Sequence, residues 1–118
     1  MASILLVEDT DVQATLLRNY VQKEHTIVGT VCGADDAVEL ARETNPDVVV
    51  MDLNLAEGNG IDATESIKSL DTTISVIVST VYVSNEVKMR AFEAGADAYL
   101  FKPYSRQDLL ETIEETIA

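Results

Sequence analysis

The stretch VVVMDLNL, Val48–Leu55, sets four apolar residues directly before an aspartate and one apolar residue after it. An unbroken apolar run of this length, entered through Asn45–Pro46, reads as a strand buried on both faces, the kind that parallel sheets contain. An unpaired carboxylate inside such a strand would be costly, so buried carboxylates shift their pKa, pair or coordinate metal. Asp52 therefore needs partners, or it sits where the strand meets water.

Working outward, four more runs have the same character: SILLV (Ser3–Val7), TIVGTV (Thr26–Val31), ISVIVS (Ile74–Ser79) and DAYLF (Asp97–Phe101). Helical spacing fills the gaps. Asp11–Gln22 carries Val12, Leu16, Leu17, Tyr20 and Val21, and Asp35–Thr44 carries Val38, Leu40 and Ala41. Asn45 ends the second helix, because a residue before proline avoids the helical region. Ile61–Leu70 is a short amphipathic helix, and Ser84 caps another that ends at Gly95. The final helix opens on SRQD (Ser105–Asp108), a capping box, and lines Leu109, Leu110, Ile113 and Ile117 on one face. Five β–α units without a linker predict a single α/β domain over residues 1–118. The economical architecture is a flavodoxin-like, doubly wound, five-stranded parallel sheet of order 2-1-3-4-5 with helices on both faces.

Composition bounds the function. The chain has 118 residues, 47% of them hydrophobic and 25% charged, as an ordinary globular domain has. Its net charge of −13, from 21 acidic and 8 basic residues, argues against gripping nucleic-acid backbones or anionic membranes directly. No apolar run reaches the ~20 residues that span a bilayer. The start carries no secretory signal pattern, which points to the cytoplasm. A single cysteine, Cys32, excludes an internal disulfide and is expected as a small packed residue at a strand end. His25, the lone histidine, lies in the polar stretch QKEHT and is expected in solvent.

In a doubly wound sheet, chemistry collects beyond the carboxyl ends of the strands. Glu8 and Asp9 follow the first strand, Asp52 the third, Thr80 the fourth and Lys102 the fifth. Each has a plain structural reading. The acids favour the positive end of a helix, the aspartate forms a turn, and the lysine is a solvated loop residue. Their joint placement on one rim favours a site. Three carboxylates beside one lysine suit a hard divalent cation, above all Mg²⁺, and an aspartate so placed can act as a nucleophile toward phosphorus.

With those residues in view, the chain resembles the receiver domains of two-component response regulators, the CheY-like phosphoacceptor modules. The resemblance rests on ILLVEDTD (Ile4–Asp11), DVVVMDLNLAEGNGID (Asp47–Asp62), VIVST (Val76–Thr80) and AFEAGADAYLFKPYS (Ala91–Ser105). It implies that Asp52 is the phosphorylated aspartate and that Glu8, Asp9, Asp52 and the Asn54 carbonyl support Mg²⁺. It further implies that Lys102 and the Thr80 hydroxyl contact the phosphoryl group. Tyr99 corresponds to the aromatic switch, and the fourth helix, fifth strand and fifth helix to the output face. The implied partners are a sensor histidine kinase or phosphotransfer protein and a downstream output protein or domain, with homodimerisation on phosphorylation a further possibility. Such a chain is a switch, not an enzyme on an external substrate. Two residues depart from the common pattern: Ala56 replaces a frequent proline, and Val81 is bulkier than the usual small residue beside Thr80.

Rival readings weaken on the same residues. A flavin mononucleotide binder needs a Ser/Thr/Gly-rich phosphate loop after the first strand, where this chain has EDTD. A hydrolase with an aspartate nucleophile usually has a second aspartate two residues on, where this chain has Asn54. A pseudo-receiver that acts by binding alone has no need of the intact set Glu8, Asp9, Asp52, Thr80 and Lys102.

Overall fold

The computed structural model describes residues 1–118. Five strands, β1 (Ser3–Val7), β2 (Thr26–Val31), β3 (Val48–Met51), β4 (Ser75–Thr80) and β5 (Ala98–Phe101), alternate with five helices. These are α1 (Asp11–Val21), α2 (Ala34–Thr44), α3 (Gly60–Leu70), α4 (Asn85–Glu93) and α5 (Arg106–Ile117). All strand pairs are parallel and the order is β2-β1-β3-β4-β5, as the alternation of strands and helices predicts.

The continuous apolar runs follow from coverage on both sides. Ile4, Leu6, Val48, Val50 and Ile77 pack with Leu17, Val21, Leu109 and Ile113 of α1 and α5. The alternate residues Leu5, Val7, Val49, Met51 and Val76 pack against Ala37, Ala41, Ala63 and Ile67 of α2 and α3. Side chains alternate along a strand, so a strand with two covered faces must be apolar at every position. Each large side chain so buried contributes ~1.5–3 kcal/mol.

The element boundaries differ from the sequence expectation by a residue or so. α3 begins at Gly60 rather than Ile61, since Asn59 takes the cap and accepts from Asp62 N–H. β4 runs one residue further, through Thr80. The Ser84 cap and the reciprocal Ser105–Asp108 capping box are both present. Asn45 ends α2 in the left-handed region at φ 46°, and Gly95 follows α4 at φ 112°. The Lys102–Pro103 peptide is cis.

Two expectations are corrected. His25 is buried, not solvated. The turn after α1 folds beneath β1, so Ala2 N–H donates to His25 Nδ1 at 2.9 Å and Nε2 faces Glu114 Oε1 at 3.6 Å. Cys32 is exposed rather than packed, because it lies just past the end of the sheet's edge strand.

Candidate functional site

The parallel ladder places the acids. Glu8 N–H donates to Val31 O at 3.0 Å and Asp52 N–H donates to Val7 O at 3.0 Å. Each acidic residue is therefore fixed to a neighbouring strand at the point where that ladder ends. Carboxylate oxygens of Glu8, Asp9 and Asp52 lie within 4.8 Å of one another. From β5, Lys102 N–H donates to Thr80 O at 2.8 Å. Its Nζ then reaches across to Glu8 Oε1 at 2.9 Å and to Asp52 Oδ2 at 3.5 Å. Asn54 N–H donates to Asp52 Oδ1 at 3.2 Å.

The loop beyond Asp52 is held from below. Asn54 and Asn59 form a bridge, and Gly60 N–H donates to Leu53 O at 3.0 Å. Gly60 lies so close to the Asp52 carbonyl that a Cβ there would overlap it. Close backbone approach of this kind is what glycine permits.

The site opens into a cleft of about 410 Å³ whose walls include Asp9, Asp52, Asn54, Lys102, Val12 and Val81. A roomier open groove of about 570 Å³ lies along α5 near Glu24 and Arg106. It lacks the buried, convergent carboxylates, and the chemistry favours the smaller cleft.

One lysine does not offset burial of these acids. Desolvation is the main influence that pushes the Glu8 carboxyl up to about 7; Lys102 opposes it, and Asp52 and Asp9 add to it. Desolvation likewise raises Asp52, against Lys102 and the Asn54 N–H. Glu8 Oε2 is buried with no hydrogen-bond partner. A consequence for stability follows. The folded state holds the Glu8 proton at a higher pH than the unfolded chain, whose glutamate titrates near 4.5. The stabilisation is complete below that value and is lost as pH rises through about 7. Urea melts without divalent cations should lose on the order of 2–3 kcal/mol from this group across the interval. Glu8→Gln should flatten the dependence; an unchanged slope would refute the assignment.

The other expected residues are on or beside the rim. Thr80 is buried, and its Oγ1 accepts from Tyr82 N–H at 3.2 Å rather than meeting Asp52. Tyr99 is half-buried against Phe92 and Phe101, and its hydroxyl donates to Tyr82 O at 3.1 Å. Tyr82 is thus tied at its N–H to Thr80 and at its carbonyl to Tyr99. Sequence reasoning did not single out Val12, which faces the cleft from α1, or Gly60. A lone apolar residue in a helix's first turn, or a glycine in a loop, carries no local mark of its neighbours.

A parallel 2-1-3-4-5 sheet with convergent acids at its carboxyl rim defines a flavodoxin-like fold carrying a charge-dense acidic cleft. The model of the response regulator receiver domain matches residues 4–114, and the chain belongs to that family. It is 32% identical over 114 residues to the chemotaxis protein CheY of Halobacterium salinarum, covering 97% of this chain and 95% of that one. It is also 35% identical over 116 residues to the transcriptional regulatory protein PdtaR of Mycobacterium tuberculosis, covering 98% of this chain and 56% of the relative. The chain thus spans nearly the full length of the first and about half of the second.

Among solved structures it is similar to a two-component response regulator of the LuxR family from Aurantimonas sp., with TM-score 0.93 and 33% identity, covering 99% of this chain and 85% of that one. It is also similar to the receiver domain of the sensor histidine kinase PA1611 from Pseudomonas aeruginosa, whose structure has a magnesium ion coordinated in the active-site cleft. That match has TM-score 0.88 and 26% identity, covering 98% and 97% of the two chains. No helix of this chain is long and apolar enough to cross a membrane.

Proposed function

We propose that this chain is, over residues 1–118, a receiver that accepts a phosphoryl group on Asp52 from a phosphohistidine, in a Mg²⁺-dependent reaction. The observation that carries the reading is the convergence of Glu8, Asp9 and Asp52 within 4.8 Å beside Lys102, at the mouth of an open cleft. The donor set fits the ion. Its ligands are hard oxygens, the acids outnumber the lysine, and Glu8 Oε2 lacks a partner. Glu8, Asp9, Asp52 and the Asn54 carbonyl would hold it. When bound, Mg²⁺ neutralises charge on the transferring phosphoryl oxygens.

The protein's own groups carry the remaining steps. Asp52 forms the new O–P bond as the N–P bond of the donor imidazole breaks, and the imidazole leaves with the electron pair. Lys102 Nζ, already 3.5 Å from Asp52 Oδ2, faces the charge that accumulates. Thr80 turns its hydroxyl to the new phosphoryl group and gives up Tyr82 N–H, which removes one of the two ties on Tyr82. Tyr99 then repacks among Phe92, Phe101 and Lys88, and the face of α4, β5 and α5 changes shape. A histidine kinase or phosphotransfer protein in the cytoplasm supplies the phosphoryl group. An output protein or attached domain reads the face, through a homodimer if phosphorylation pairs two copies. The chain then catalyses only its own phosphorylation and dephosphorylation. A binding-only pseudo-receiver would leave this cluster without a task.

Intact mass after incubation with acetyl phosphate tests the proposal. A single phosphoryl adduct that needs Mg²⁺ is expected; no adduct with small donors or with phosphorylated kinase would overturn it. Val81, 66% exposed on the wall of the same cleft, bears on access. Val81→Ala should raise the rate of adduct formation severalfold, and an unchanged rate would show that Val81 does not gate the cleft.

A further inference from the structure

Lys102 does its work only if its ammonium is held over two carboxylates on strands other than its own. Its backbone N–H is fixed to the Thr80 carbonyl on β4. Two residues on, Tyr104 sends its hydroxyl to within 2.7 Å of Ser79 Oγ, on the residue preceding Thr80. Ser79 is fully buried on the face of β4 that Ile77 shares, beside a large apolar cluster. A polar pair there contributes little net stability over two apolar groups of similar shape, while either hydroxyl left alone is costly. The pair does, however, fix the segment after β5 at a second point on the same strand.

We propose that the Tyr104–Ser79 hydrogen bond positions Lys102, so that Tyr104 and Ser79 are positioning residues for phosphoryl transfer. The inference rests on the reading of Asp52 and Lys102 above. Neither residue touches the carboxylates. They act through the backbone of residues 102–104, which is clamped between Thr80 O and Ser79 Oγ while the Lys102 side chain reaches past the end of β4 to Asp52 and Glu8. Burial raises the Tyr104 hydroxyl well above the ordinary phenol range, so it stays neutral and hydrogen-bonded to Ser79 at any working pH.

The test is a set of three variants: Tyr104→Phe, Ser79→Ala and the double variant. Each single variant strands a buried hydroxyl and should lower stability; the double variant removes both polar partners and should regain most of it. Two readouts separate positioning from packing. The first is the Mg²⁺-dependent adduct rate, expected to stay at least about threefold slow in the double variant despite recovered stability, since small misplacements of a catalytic group are costly. The second is the Lys102 ¹⁵Nζ resonance in metal-free protein, expected to shift and narrow as the ammonium is freed. Recovery of both rate and resonance along with stability would overturn the proposal. If wild type forms no adduct, the functional reading fails, and the resonance alone decides whether the pair holds Lys102.

Discussion

Asp52→Asn should abolish the Mg²⁺-dependent phosphoryl adduct and at the same time make the metal-free protein more stable at pH 7. The two effects have one cause. Asn keeps the shape and can still accept from Asn54 N–H, but it has no carboxylate to bond to phosphorus. It also removes a carboxylate that burial, and after it the charge of Asp9, disfavours against the pull of Lys102. Replacements that relieve functional strain commonly gain about 0.5–2 kcal/mol. For a domain of this size that is a rise of roughly 2–10 °C in Tm. The gain should shrink when Mg²⁺ is added, because the ion stabilises the wild type by binding its folded form. Labelling of Asp52→Asn at the wild-type rate would show that phosphorus goes elsewhere. Adduct loss with a fall in Tm would show that Lys102 more than balances the acids.

Gly60→Ala sets two effects against each other. Helix propensity favours alanine by up to about 1 kcal/mol, and Gly60 is the first residue of α3. The new Cβ, however, would overlap the Asp52 carbonyl oxygen and come within 2.8 Å of Leu53 Cα. These are backbone atoms at the end of a buried strand and cannot rotate away. Overpacking of this kind costs about 1–3 kcal/mol, and here the contact is with backbone, so the upper end applies. A net loss of about 2 kcal/mol in urea unfolding is expected. The adduct rate should fall about tenfold or more, because the shift displaces Asp52 from Asp9 and Lys102. A stabilised protein with wild-type rate would mean that the loop moves aside freely.

These two residues mark how far the sequence could be read. Asp52 was legible because Val48–Met51 is apolar at every position. That requires two covered faces, and a carboxylate directly after such a run needs partners. Glu8, Thr80 and Lys102 were legible for the same reason, each following its own apolar strand. Once the strands are known to be parallel, their ends share one rim. Gly60 was not legible, since its neighbour is brought there by the fold and leaves no local pattern. His25 misled for a related reason: QKEHT is polar by composition, but the turn doubles back under β1 and the imidazole receives Ala2 N–H. Cys32 misled in the other direction, because a strand end in the middle of a sheet is covered and one at the edge is open. Nothing in the local sequence marks Ser79 or Tyr104. Their significance lies in a contact 25 residues apart in sequence.

The tie on Tyr82 has a temporal consequence. The segment from Val81 to Ser84 joins β4 to α4, and Val81, Tyr82 and Val83 all expose apolar side chains there. Val81 borders the entrance to Asp52, while Tyr82 is bonded to both the Thr80 hydroxyl and the Tyr99 phenol. Whatever moves Tyr82 therefore shifts its neighbour at the entrance and the display at the surface together. Under the proposed function, water would reach an acyl phosphate on Asp52 by the same opening that donors use. The duration of a signal and the form in which it is presented would thus both depend on one short segment. Selection for a longer memory would alter the message as well.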